Sequence, residues 1–132
     1  MAVRILLLAG AVALIVHGVA RSSAHRACDD GRRAAFAIGA RSLPATDAAA
    51  VGRRLLDHCR GAAQLLDGAS AFLRAGAIGP AAQLSAAAVR REPERRDAWL
   101  AVAGVRRARG DQAGAQRALD RARQLDPLSF RR

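Results

Sequence analysis

The chain has no lysine, no asparagine and no tyrosine, and only three phenylalanines and one tryptophan among 132 residues. So few rings exclude a core built on aromatic packing. Two cysteines are too few for a cysteine-dense miniprotein, and four prolines with twelve unperiodic glycines exclude a collagen. The overall composition also excludes a β-sandwich. Acid is scarce as well: eleven Asp and Glu face twenty-two arginines, for a formal charge of +11. A basic complement made wholly of Arg, beside so much Ala and Gly, reads as high-GC coding bias rather than as a selected nucleic-acid surface. What the sequence does hold is alanine, 34 of them. Alanine is the best helix former and the thinnest, so the length and composition predict one small all-α domain of closely spaced helices.

The residues that carry chemistry are equally sparse. The three histidines are His17 in an apolar run, His25 just after it and His58 beside Cys59; no serine is spaced against a base, and no glycine-rich loop follows a strand. No catalytic residue, no metal site and no cofactor is expected. His25-x-x-Cys28 with His58-Cys59 offers four metal donors on paper, but neighbouring helical residues point about 100° apart and the spacing matches no common zinc module. Without a CxxC, redox catalysis and covalent haem attachment lack their usual signatures.

The amino end is the one long hydrophobic stretch. Ile5 to Ala20 are broken only by His17, with Gly10 and Gly18, between Arg4 and Arg21. At about 1.5 Å per residue the run spans about 24 Å, short of the roughly 30 Å hydrocarbon layer unless Arg4 snorkels. Residues 1–24 therefore read as a signal-anchor or signal peptide, with Gly18-Val19-Ala20 and Ser22-Ser23-Ala24 as candidate cleavage sites. Arg21, Arg26, Arg32 and Arg33 on the carboxyl side argue for a cytoplasmic body by the positive-inside rule. The charged leader ahead of an apolar run, and the cysteine pair, argue for an exported one. The expectation is a single-pass protein of the inner, cytoplasmic membrane, held through residues 5–20, with an extracytoplasmic body.

Residues 25–61 predict a helical hairpin. Apolar positions from Cys28 to Arg41 have helical spacing, Arg41-Ser42-Leu43-Pro44 is a turn signal, and Ala48, Val51, Leu55 and Leu56 form a second stripe that runs to about Cys59, with Thr46 or Asp47 as N-cap. The midpoint of Cys28 and Cys59 falls on that turn, so antiparallel helices bring the two to one height. A disulfide follows for an exported body, and two buried thiols for a cytoplasmic one.

From Gly61 the chain matches itself when displaced by 34 along its length: Gly76 meets Gly110, Ala81 meets Ala115, Ala88 meets Ala122 and Pro93 meets Pro127. The spacing predicts helices over 62–75, 78–91, 95–109 and 112–125. In the second copy Trp99, Val102, Ala103, Gly110-Asp111, Ala115, Leu119, Ala122 and Pro127 resemble the tetratricopeptide repeat (TPR), W-x2-L-G-x2-Y, A-x3-F, then P. Arg106 departs from the pattern, standing where an aromatic is expected. The first copy runs Leu65, Gly68, Ala69, Phe72, Gly76, Ala81, Ser85, Ala88 and Pro93, with Gly68 and Ser85 poor at packing positions. The resemblance implies an α-solenoid with repeats at 62–95 and 96–132, and the cysteine hairpin as a diverged first unit in which Asp47 and Arg54 fall at positions meant for small, buried residues. Small residues at Ala69, Ala81, Ala103 and Ala115 let helices cross closely, and Trp99 is expected to wedge the junction between hairpins.

By the same resemblance the binding groove is lined by Leu66, Ser70, Leu73, Arg74, Asp97, Leu100 and Arg107. It lacks the Lys and Asn positions of members that clamp a terminal carboxylate. The implied partner is another protein, membrane-associated, presenting a helix or an extended segment with acidic residues, so the chain reads as a non-enzymatic scaffold. The alternative is a secreted or surface cationic protein that binds anionic lipid or polymer through Arg, since residues 106–132 hold eight Arg against three acids. Nucleic acid is not expected, because aromatics for stacking are nearly missing. Only five residues follow Pro127, so the last helix is expected to leave an apolar edge at Leu119 and Leu125 that a second copy or a partner would cover.

Overall fold

The structure, a computed structural model, describes residues 22–128. They form six α-helices and no strand: α1, helical over 22–39, α2 (Ala48–His58), α3 (Ala62–Arg74), α4 (Ile78–Arg91), α5 (Arg96–Ala108) and α6 (Gln112–Leu125). The all-α expectation holds. The apolar run of residues 5–20 lies outside the described residues, and among those described no helix is long and apolar enough to cross a membrane. The four carboxyl-side helices fall within a residue or so of their expected bounds, whereas α1 starts at least six residues ahead of Cys28.

Short links that carry a left-handed turn fold α3 onto α4 and α5 onto α6: three residues join each pair, and both pairs pack extensively. Each turn needs one left-handed residue, which Gly76 (φ 76°) and Gly110 (φ 80°) supply without strain. The two turns repeat bond for bond, one period apart. Gly76 N–H donates to Leu73 O and Ala77 N–H to Phe72 O; Gly110 N–H donates to Arg107 O and Asp111 N–H to Arg106 O. The α1–α2 turn uses the same pattern, Arg41 N–H to Ile38 O and Ser42 N–H to Ala37 O, with Arg41 itself left-handed at φ 62°.

That first turn is one residue early, and a 3-10 turn at Ala45–Asp47 then leads into α2. The slip explains the misfit read from the sequence. Counting back one residue less than the full period from the buried Ala81, Leu84, Ser85 and Ala88 of α4 lands on Ala48, Val51, Gly52 and Leu55, the buried set of α2. Asp47 and Arg54 are simply exposed. Neither expected N-cap makes a side-chain cap bond; the 3-10 turn occupies that place. In α1 the buried Cys28, Gly31, Ala35 and Ile38 sit one full period before Ala62, Leu65, Ala69 and Phe72.

The core is largest in the first two pairs, where Phe72, Ile38, Leu55, Leu65 and Leu84 are fully buried. The third pair packs through smaller groups, Ala98, Ala103, Val105, Ala115, Ala118 and Ala122. Helices α1, α3 and α5 lie side by side, as do α2 and α4. Contact between α1 and α3 is nearly backbone to backbone: a methyl group on Gly39 would sit 3.1 Å from the Ala71 Cα. Gly68 is similarly constrained, since a Cβ there would meet Leu55 Cδ1 at 2.6 Å and Leu84 Cδ1 at 2.9 Å. The glycine that fits the TPR pattern badly is the one that seats both leucines. Ser85, the other poor fit, is buried with its hydroxyl donating to Ala82 O.

Two expectations are corrected. Trp99 does not wedge the junction between hairpins; it is half-buried outside the main core, its Nε1 donating to Pro93 O at 2.8 Å. The outer face of α6 is polar rather than apolar. Where α4 carries Ile78, Ala82, Ala86 and Val89, α6 carries Gln112, Gln116, Asp120 and Arg123, all exposed, and Asp120 accepts from both Gln116 and Arg123 at 2.9 Å. Leu119 and Leu125 are half-buried, and among the described residues only Leu128 of that end is an exposed large apolar side chain.

Cys28 and Cys59 are both buried and joined as a disulfide, with Cα atoms 4.9 Å apart. Opening it with reductant, or by Cys28→Ser with Cys59→Ser, is expected to lower the unfolding free energy in urea titrations by about 3 to 4 kcal/mol, the chain-entropy value for a loop of this length. Gly68→Ala is expected to cost about 1 to 3 kcal/mol, because both leucines it would displace are fully buried. Gly79→Ala, with nothing within 4 Å of the new methyl, is expected to be neutral or to stabilise by a few tenths up to about 1 kcal/mol in the same titration.

Candidate functional site

The face formed by α1, α3 and α5 is the candidate. Leu66 is 9% exposed and belongs to the core, so it is not a groove contact; its tight environment is the cost of packing α3 between two neighbours. Leu73 and Leu100 are half-buried, leaving part of each side chain at the surface, while Ser70, Arg74, Asp97 and Arg107 are exposed. Leu73 also lies against Gly104 of α5, whose Cβ would stand 3.5 Å from Leu73 Cδ1, so the two helices are held close enough to share one surface.

Phe36 is the residue that sequence reasoning overlooked. It is 46% exposed on α1, and one repeat period carries it onto Ser70, already assigned to the groove. The period itself was therefore the available signal. Beside Phe36, Arg32 reaches from α1 to α3 and pairs with Asp67 at 2.8 Å, fixing the spacing of the two helices. This gives the face an aromatic group at one side, partly exposed leucines in the middle and guanidinium groups toward the turns.

Most of the described acids are paired, whereas many of the more numerous arginines are not. Among the described residues only Asp47, Asp57 and Asp97 lack a basic partner within 4 Å. Arg74 and Arg107 make no ion pair or hydrogen bond with any described residue. Both stand in the last turn of their helices, where the carbonyl ends of α3 and α5 favour a cation. Exposed and unpaired, they are free to meet a carboxylate from outside. Nothing on this face resembles a catalytic constellation, and the cysteines, joined to each other, have no thiolate to offer a metal.

The open ends of the helix pairs, opposite the turns, are closed by polar contacts. Glu92 Oε1 accepts from the Ala62 N–H at 2.9 Å and Glu92 Oε2 from Arg95 at 3.0 Å. Arg96 pairs with Asp126 at 3.0 Å, one period further on. Arg91 donates to the carbonyls of Cys59 and Leu56, tying the end of α4 to the end of α2. At α6 the start is fixed by Asp111, which accepts from Gly114 N–H at 2.8 Å.

The bond from Ala62 N–H, followed by the one from Arg95, holds the Glu92 carboxyl below the usual carboxylate range. Its folded pKa is depressed, so its contribution is present above the unfolded glutamate value of about 4.3 and is lost as pH falls through the folded value. Glu92→Gln is therefore expected to flatten the acid limb: wild type should lose stability more steeply than the variant as denaturant titrations step from about pH 5 down to about pH 3. Compared with known protein families, with curated proteins and with solved structures, the chain matches none.

Proposed function

We propose that this chain is a non-enzymatic protein-interaction module of TPR type, a short α-solenoid of three helical hairpins tethered at the cell envelope, that holds a segment of a membrane-associated partner protein across α1, α3 and α5. The observation that carries this reading is the joint exposure of Phe36 and of the unpaired Arg74 and Arg107 on one face with Leu73 and Leu100. An apolar anchor flanked by desolvatable guanidinium groups suits an amphipathic segment with acidic residues. The recurrence of turn bonds and buried positions at the repeat period, or one residue short of it, supports the repeat. The disulfide supports an extracytoplasmic body, where such bonds persist, and the tether would be the apolar run of residues 5–20.

A second reading, a cationic protein bound to anionic lipid or polymer, draws on the surplus of unpaired arginines. The two differ in salt response, since contacts made only by exposed charges are screened within about 8 Å at physiological ionic strength. The test is a photo-crosslinking residue at Ser70 in living cells, with the product identified by mass spectrometry. One membrane-protein segment should dominate, survive about 0.3 M salt during parallel pull-down, and fall at least tenfold in the Phe36→Ser/Arg74→Gln/Arg107→Gln variant with its helical melt unchanged. A product indifferent to the triple substitution, or no protein product at all, defeats the proposal.

A further inference from the structure

On the other side of the molecule an open groove of about 450 Å³ runs along α4, lined by Leu56, Gly79, Ala82, Gln83, Ala86, Arg90 and Arg109. Its floor is the row Gly79, Ala82, Ala86, spaced three and four residues apart on one side of the helix. Leu56 of α2 stands at its edge, and an arginine marks each end: Arg90 in the last turn of α4, Arg109 in the α5–α6 turn. Neither arginine has an ion-pair or hydrogen-bond partner among the described residues. The fold does not need the floor to be so low. Gly79 has no atom within 4 Å of where a Cβ would stand and no left-handed backbone, so a side chain would fit there without disturbing packing.

We infer that this groove is a second docking site, and that it takes an amphipathic helix of a partner protein bearing a carboxylate toward each end. Each clause follows from the lining. Gly79 and Arg90 are eleven residues apart, about 16 Å along the helix, so a compact anion could meet only one guanidinium. An extended peptide would bury backbone N–H and C=O groups against glycine and alanine, which offer no side-chain partner; a helix satisfies its own. A low floor of small residues admits the ridge of such a helix, and Arg at both ends selects for acid. A second copy of this chain, itself at +11, is the wrong charge. The site is independent of the α1, α3, α5 face.

The experiment uses the purified full chain, in detergent, and a labelled helical peptide of about sixteen residues, rich in Ala and Leu, with two Glu eleven positions apart. Fluorescence anisotropy should show saturable binding, at least tenfold weaker for the same peptide with Gln in place of both Glu. Gly79→Leu, which fills the floor, and Arg90→Gln/Arg109→Gln should each weaken binding at least tenfold while the helical melt is unchanged. Because the other face is also proposed to take an acidic amphipathic segment, the titrations are repeated in a chain that carries Phe36→Ser/Arg74→Gln/Arg107→Gln, where saturable binding and its loss with Gly79→Leu should both persist, which separates this site from that face. Three results overturn the proposal: no binding by the acidic peptide, wild-type binding by Gly79→Leu, or an equal loss in Arg41→Gln/Arg54→Gln, two free cations of the first hairpin that lie outside the groove. The last would mean attraction by net charge alone. Binding of wild type to vesicles of anionic lipid that the same variants lose, with none to the peptide, would assign the groove to lipid and overturn it.

Discussion

Closing the open end of each helix pair is the constraint on which this structure depends. A pair of helices joined by a tight turn is fixed at that turn and free to splay at the other end, the more so when its facing residues are alanines with little area to bury. The chain solves this three times at equivalent places. Cys28 and Cys59 stand where Ala62 and Glu92 stand in the next pair, and where Arg96 and Asp126 stand in the third. The first closure is covalent, the second a charge-assisted bond from a helix N–H to a carboxylate, the third an ion pair. The covalent one falls on the pair whose turn departs most from the pattern.

Much of the fold is legible in the sequence because small and turn residues have narrow uses. Gly76 and Gly110 mark left-handed turns, Pro93 and Pro127 mark the helix ends before them, and the repeat period locates four helices almost to the residue. The misreadings have definite causes. The misfit of Asp47 and Arg54 to the repeat comes from a one-residue slip around Arg41 and the Ala45–Asp47 turn, while the stripe of Ala48, Val51 and Leu55 is buried as its spacing suggests. Leu66 reads as a groove residue by resemblance, yet α3, flanked on both sides, buries more of its circumference than a terminal helix does. Trp99 suits a wedge by size alone, whereas its indole N–H needs a carbonyl and finds Pro93. Phe36 is within reach of sequence reasoning, since the same period that nominates Ser70 also nominates it.

The polar face of α6 sets the third pair apart. A helix with Gln112, Gln116, Asp120 and Arg123 where α4 has apolar groups presents a polar surface on that side, as a capping helix does in a repeat stack. Apolar exposure is instead concentrated at the first pair, at Phe36 and Leu43, with Leu128 beyond α6.

The placement of charge suits a protein as the proposed partner. Helix α1 runs from the open end toward the turn end, and the turns stand about 27 Å from Ser22 along its eighteen described residues. Arg41, Arg74, Arg107 and Arg109, all exposed and unpaired, lie at or beside those turns. The ion pairs of Glu92, Glu94 and Asp126 lie at the open ends instead. Arg90, exposed and likewise unpaired, lies at the open end, so unneutralised cations stand at both ends of the stack, an arrangement that fits an acidic polypeptide segment laid along a helix pair.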